Sequence, residues 1–179
     1  MSLILIGYRG TGKTSVAKSL AERLGWNWLD TDDRIEQRAG RSIADIFAGA
    51  GESGFRDLES AMLAEVCPCE KTILAVGGGA VLREENRQLL KDCGQIVWLQ
   101  ARPETIHRRL QADAQTAERR PNLTKSGGLN EIEQVLAERT EIYHRCADIQ
   151  VDTEGKDVGS VVDEIVARLD PSPAPSDQA

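Results

Sequence analysis

Residues Gly7-Tyr8-Arg9-Gly10-Thr11-Gly12-Lys13-Thr14 fit the pattern G-x-x-x-x-G-K-[ST], the spelling of a phosphate-binding P-loop. The glycines permit a tight turn that brings backbone N–H groups against phosphate oxygens. Lys13 can reach β- and γ-phosphates, and the Thr14 hydroxyl can ligate Mg²⁺. The short apolar run Leu3–Ile6 leads into the loop, as a buried strand would. Ser15–Leu24 follows, with Val16, Leu20 and Leu24 at helical spacing, so the anion is expected at a helix N-terminus.

Three further groups could do chemistry beside a phosphate. The acidic run Asp30-Thr31-Asp32-Asp33 lies just past a second strand, Trp26–Leu29, where α/β proteins place ligand groups. Asp32 or Asp33 is expected to cap a helix over Arg34–Ala39. In an extended backbone Asp30 and Asp32 would face the same side. Many P-loop proteins carry a metal-holding aspartate at the end of a later strand. Here the strand Thr72–Val76 ends instead in Gly77-Gly78-Gly79. The metal then needs another carboxylate, and Asp30 is the candidate. Arg56 stands near the start of a helix over Glu52–Val66. The helix dipole disfavours a cation there, which suits a residue that holds an anionic ligand. Arg139 precedes Tyr143 by one turn on a long helix over Glu131–Cys146.

These residues need a frame. Strands are expected at Leu3–Ile6, Trp26–Leu29, Thr72–Val76, Gln95–Leu99 and Asp148–Asp152. Helices fall between them. One starts at Ser42, breaks at Gly49-Ala50-Gly51 and resumes at Glu52; others cover Glu84–Lys91, Pro103–Leu110 and Asp157–Leu169. Strands that alternate with helices imply an α/β fold with a parallel sheet covered on both faces. The polar stretch from Gln111 to Asn130 is too long for an ordinary connection, and a lid over about 112–129 is expected. Residues 1–169 form one expected domain. The Pro/Ser-rich end, 170–179, reads as a disordered tail.

The bulk properties narrow the function classes. The chain has 179 residues and a net charge of −7, which disfavours a general nucleic-acid binder but not a local pocket of arginines for a small anion. No apolar run reaches the length of a membrane span. The N-terminus lacks the shape of a signal peptide, so a cytoplasmic protein without membrane partners is expected. The four cysteines, Cys67, Cys69, Cys93 and Cys146, form no C-x-x-C pair and read as incidental thiols.

Taken in order, the P-loop, Leu29-Asp30-Thr31-Asp32, Gly40-Arg41-Ser42-Ile43, Phe55-Arg56-x-x-Glu59, Gly77-Gly78-Gly79, Arg120-Pro121 and Arg139-x-x-x-Tyr143 resemble shikimate kinases, of the nucleoside-monophosphate-kinase-like group of P-loop proteins. The resemblance runs from Leu3 to about Leu169. It implies a three-layer fold with a five-stranded parallel sheet in the order 2-3-1-4-5 and a mobile lid. It implies transfer of the ATP γ-phosphoryl group to the 3-hydroxyl of shikimate, in aromatic amino-acid biosynthesis, by a monomer. Gly10, Thr11, Gly12, Lys13, Thr14, Ser15, Arg120 and, near the C-terminus, Lys156 would hold ATP. Asp32, Arg56, Gly77, Gly78, Gly79 and Arg139 would hold shikimate, and Thr14 and Asp30 would serve Mg²⁺. Lys13, Asp32 and Arg120 would be catalytic. The chain departs from the family in reading Arg120-Pro121-Asn122-Leu123, where members usually have R-P-L-L, and in a longer lid. An ATP-contacting arginine upstream of Arg120 therefore does not align, and Arg109 is the candidate. A kinase for another small hydroxy acid such as gluconate, or a non-catalytic nucleotide-binding module, are the alternatives.

Overall fold

A computed structural model describes residues 2–113 and 127–169 of the chain. Its centre is strand β1, Ser2–Ile6, all five residues of which are buried. An unbroken apolar strand belongs in the middle of a parallel sheet, where both faces are covered. The other strands are β2 (Asn27–Asp30), β3 (Thr72–Ala75), β4 (Gly94–Gln100) and β5 (Ile149–Asp152). All pairings are parallel, and the order is β2-β3-β1-β4-β5, as the resemblance implied.

The two faces of β1 supply two cores. Ile4 and Ile6 meet Leu74, Val76, Ile96 and Trp98 on one side; Leu3 and Leu5 meet Ile73, Ala75, Val97 and Leu99 on the other. This is the period of two that a strand imposes. Helices α1 (Lys13–Leu24) and α7 (Val158–Arg168) cover the second face through Val16, Leu20, Val161 and Ile165. The first face is covered by α2 (Thr31–Ala39), α3 (Ile43–Val66), α4 (Glu84–Cys93) and the C-terminal part of α6 (Gly128–Cys146). Truncating a core leucine such as Leu5, which is fully buried, to alanine should cost about 2–5 kcal/mol.

A third, smaller cluster lies past the carboxyl end of β1. There Tyr8 packs with Ile106 of α5 (Pro103–Ala112) and with Ile132 and Val135 of α6. Register keeps the strand ends level: Asp30 pairs with Ala75, and Ile6 with Trp98. The P-loop, the acidic run and the glycine run are therefore delivered to one edge of the sheet. That edge is where open α/β sheets bind ligands.

Several boundaries differ from the sequence expectation. The P-loop helix starts at Lys13, not Ser15. Helix α3 is interrupted at Gly51 alone, where φ is 68°. The larger difference is at α2, which starts at Thr31 rather than Arg34. Its cap is Asp30, whose side chain accepts from the Asp32 N–H at 3.0 Å, and not Asp32 or Asp33. Asp32 and Asp33 instead occupy the first turn, where negative charge suits the helix dipole. Asp30 and Asp32 thus do not share an extended backbone. Helix α6 likewise begins three residues before the expected Glu131.

Candidate active site

The P-loop follows directly from β1. Gly7 has φ 136°, and a β-carbon there would lie 2.5 Å from the Leu99 carbonyl oxygen of β4, so only glycine fits. The Thr11 hydroxyl donates to the Tyr8 carbonyl at 2.8 Å and closes the turn. Lys13 Nζ donates to the carbonyls of Gly7 and Tyr8, each at 2.9 Å, which holds the ammonium over the loop. Helix α1 has Gly12 as its cap, no side-chain capping bond and no acid in its first turn. A helix N-terminus without a capping side chain or a first-turn acid suits a bound anion.

Opposite the loop, the Thr14 hydroxyl donates to Asp30 Oδ2 at 2.6 Å. The other oxygen of that carboxylate takes the Asp32 N–H. One side chain thus joins the end of β2, the start of α2 and the P-loop helix. A cavity of about 320 Å³ opens here, lined among others by Gly12, Lys13, Thr14, Asp30, Asp32 and Arg109. A hydroxyl beside a carboxylate is a hard oxygen pair that suits Mg²⁺. That ion commonly takes one or two protein oxygens and completes its shell with water and substrate phosphates. Among the described residues no group of three or more His, Cys, Asp or Glu could hold a metal by itself. Phosphate and water oxygens would have to complete the shell.

The glycine run forms the next wall. The Gly77 N–H donates to the Thr31 hydroxyl at 3.2 Å, which ties β3 to the start of α2. The Gly78 carbonyl accepts from the Tyr143 hydroxyl at 2.5 Å. A β-carbon on Gly78 would lie 3.1 Å from the Gly7 carbonyl oxygen and 3.5 Å from Tyr8 Cα, so this backbone lies against the root of the P-loop. On Gly79 a β-carbon would lie 2.2–2.4 Å from the Arg56 guanidinium. The absence of that atom is what lets Arg56 reach across the backbone.

Arg56 and Arg139 are both buried, 8% and 7% exposed. Arg56 is held on its own helix, 2.7 Å from Glu59 Oε2 and 3.2 Å from Glu52 Oε1. Glu59 is fully buried; desolvation pushes its carboxyl above the usual range, against the pull of Arg56 and then Arg139. Burial likewise pushes the Tyr143 phenol up to about 12, opposed by the charge and hydrogen bond of Arg139. Tyr143 therefore stays a neutral donor. Arg56, against Gly79, and Arg139, against Tyr143, thus bring two cations to one region, and Gly78 joins it to the root of the P-loop at Gly7 and Tyr8.

The structure thus brings together Gly10, Gly12 to Ser15, Asp30 and Asp32 at one cavity, with Thr11 turned to the Tyr8 carbonyl, and Arg56, Gly77 to Gly79 and Arg139 beside it. Lys156 does not join them. Its ammonium lies 2.5 Å from Glu164 of α7, outside the cavity lining. Arg120 and residues 114–126 of the expected lid lie outside the described residues, as does the tail from 170. Arg109 proves to line the cavity. It donates to the Gly10 carbonyl at 3.5 Å and to Thr153 at 3.0 and 3.1 Å. The helical spacing of Ile106 and Leu110, which pack against Gly10, was the available signal. Tyr8 and Arg9 occupy variable positions of the motif, and nothing in the sequence marked them.

The sequence model of the shikimate kinase family matches residues 9–170. A shikimate kinase of Rhodopirellula baltica is 43% identical over 92% of this chain and 88% of its own length. One from Symbiobacterium thermophilum is 41% identical over 94% and 96%. Among solved structures, a shikimate kinase from Acinetobacter baumannii in complex with shikimate superposes with a TM-score of 0.86. It shares 32% identity and covers 92% of this chain and 90% of that one.

Proposed function

The chain belongs to the shikimate kinase family, and from that premise we propose that it transfers the ATP γ-phosphoryl group to the 3-hydroxyl of shikimate. The observation that carries the acceptor assignment is the close approach of Arg56 to Gly79 beside the buried Arg139. Two guanidinium groups next to a phosphate cavity suit a small acceptor with a carboxylate, which each can fork.

The chemistry then divides among named residues. The N–H groups of the loop and of the first turn of α1, with Lys13, hold the β- and γ-phosphates. Thr14 and Asp30 would hold Mg²⁺, which would neutralise charge on the phosphate oxygens. Arg56 and Arg139 fork the shikimate carboxylate and fix the ring; the Gly79 N–H adds a donor. Asp32 accepts a hydrogen bond from the 3-hydroxyl and aims its oxygen at the γ-phosphorus. A bond forms between that oxygen and phosphorus, the bond to the bridging oxygen of ADP breaks, and the hydroxyl proton leaves towards Asp32. The loose transition state makes little demand for early proton removal, so orientation is the larger part of Asp32's role. Arg109 adds positive charge over the transferring group, and the resemblance assigns Arg120 a like role.

ADP release by the purified chain, with shikimate, with gluconate and with no acceptor, tests this reading. Release that depends on shikimate supports it. Equal release with gluconate would favour a broader hydroxy-acid kinase, and none with either acceptor would favour a binding module.

A further inference from the structure

Helix α6 touches both halves of the site along one stripe. Its buried residues include Glu131, Val135, Arg139 and Tyr143, a spacing of four that stacks them on one face. At the start of the stripe, Glu131 Oε1 lies 2.7 Å from an Arg9 nitrogen of the P-loop. One turn on, Val135 packs with Tyr8. Arg139 follows, and Tyr143 then bonds the Gly78 carbonyl. From Glu131 to Arg139 the rise is roughly 12 Å at about 1.5 Å per residue. One rigid rod therefore links the phosphate loop to the acceptor arginine.

The Arg9–Glu131 pair is almost wholly withdrawn from water, with side chains 14% and 1% exposed. Such a pair is weak support for stability, because desolvation offsets most of its attraction; its better-attested use is to fix register. The start of α6 needs fixing, since its cap, Gly127, contributes no side-chain bond. A carboxylate in the first turn is also favoured by the helix dipole.

Resting on the proposed shikimate kinase reading, we propose that Arg9 and Glu131 are positioning residues: their ion pair sets the register of α6 on the P-loop and thereby the place of Arg139 at the acceptor carboxylate. Neither residue needs to touch shikimate. A slip of about 1 Å in Arg139 is enough to cost up to ~10²-fold in rate.

The test is steady-state kinetics of the full chain and its Glu131→Gln, Arg9→Gln, Arg9→Gln/Glu131→Gln and Arg9→Lys variants, with a melting curve for each. Glu131→Gln keeps the volume and removes the charge. It should raise the shikimate KM about tenfold, within the range of ordinary coupling between sites, and leave the ATP KM nearly unchanged. The double variant should be no worse than the poorer single one, and Arg9→Lys should recover much of the loss. An unchanged shikimate KM in folded Glu131→Gln, or losses that add in the double variant, would overturn the inference. Should Glu131→Gln not fold, Arg9→Gln and Arg9→Lys decide in the same way. If the unaltered chain shows no shikimate-dependent turnover, the functional reading falls and this inference falls with it. Normal turnover with insensitive variants removes this inference alone.

Discussion

The guanidinium of Arg56 crosses the backbone at Gly79 so closely that a β-carbon on Gly79 would lie 2.2–2.4 Å from it. The relation joins two segments with no local connection: a helix that follows the break at Gly51 and the turn that ends β3. Gly79 itself has φ −100° and ψ −2°, a conformation open to any residue. It is the neighbour, not the backbone, that requires glycine.

Gly79→Ala should therefore fold. The new methyl meets the far end of a flexible side chain, which can turn aside, so the melting temperature should move by only a few degrees. Arg56 would be displaced from its place, and the shikimate KM should rise about tenfold or more. An unaltered shikimate KM, measured at saturating ATP, would show that Arg56 does not hold the acceptor.

Arg56→Lys and Arg139→Lys keep the charge but lose the planar fork. Each should raise the shikimate KM well above any change in the ATP KM. Arg56→Lys should also lower stability by about 1–3 kcal/mol, because Glu59 is fully buried and would lose part of its partner. Kinetics with each substrate varied in turn, together with denaturant melts, separate the two effects. A change in the ATP KM alone would move these arginines to the nucleotide side.

Much of this site was legible in the chain because its signals are local. The P-loop, the glycine run and the alternation of strands and helices are short patterns that keep their meaning in the fold. The start of α2 was not legible. Asp30-Thr31-Asp32-Asp33 offers three carboxylates, each able to cap a helix, and the choice of Asp30 is made where β2 ends beside Thr14. Arg109 meets Gly10 across 99 positions of sequence; the spacing of Ile106 and Leu110 marks the helix that carries it but not the partner it meets. Lys156 stands outside the cavity lining, and Glu164, eight residues on, takes its ammonium. Glu131 reads as an ordinary acid near a helix start; only the packed structure shows it buried on Arg9.

Asp30 and Asp32 should separate under titration, although they share no extended backbone. Asparagine caps helices as well as aspartate does, so Asp30→Asn should keep α2 while it removes the charge beside Thr14. That variant should need more Mg²⁺ for half-maximal rate and bind shikimate nearly as before. Asp32→Asn should weaken shikimate binding and lower kcat by up to ~10²–10⁴-fold, with little change in its Mg²⁺ requirement. Identical responses, or the reverse pairing, would show that the roles are divided wrongly.

Lys13→Ala should leave a folded protein, since Nζ donates to two carbonyls of the loop itself and ties no distant segment through them. Its kcat should fall by about 10²–10³-fold or more, the loss typical of one removed donor to transition-state charge. Near-normal turnover would mean that the loop binds nucleotide without serving transfer.

The most direct measurement is phosphorus NMR of the product formed from ATP and shikimate by the purified chain. Transfer to the 3-hydroxyl should give one new phosphoester resonance, coupled to the proton on the ring carbon that bears that hydroxyl, appearing in step with ADP. A phosphoester at another hydroxyl, or ADP without any phosphoester, would contradict it.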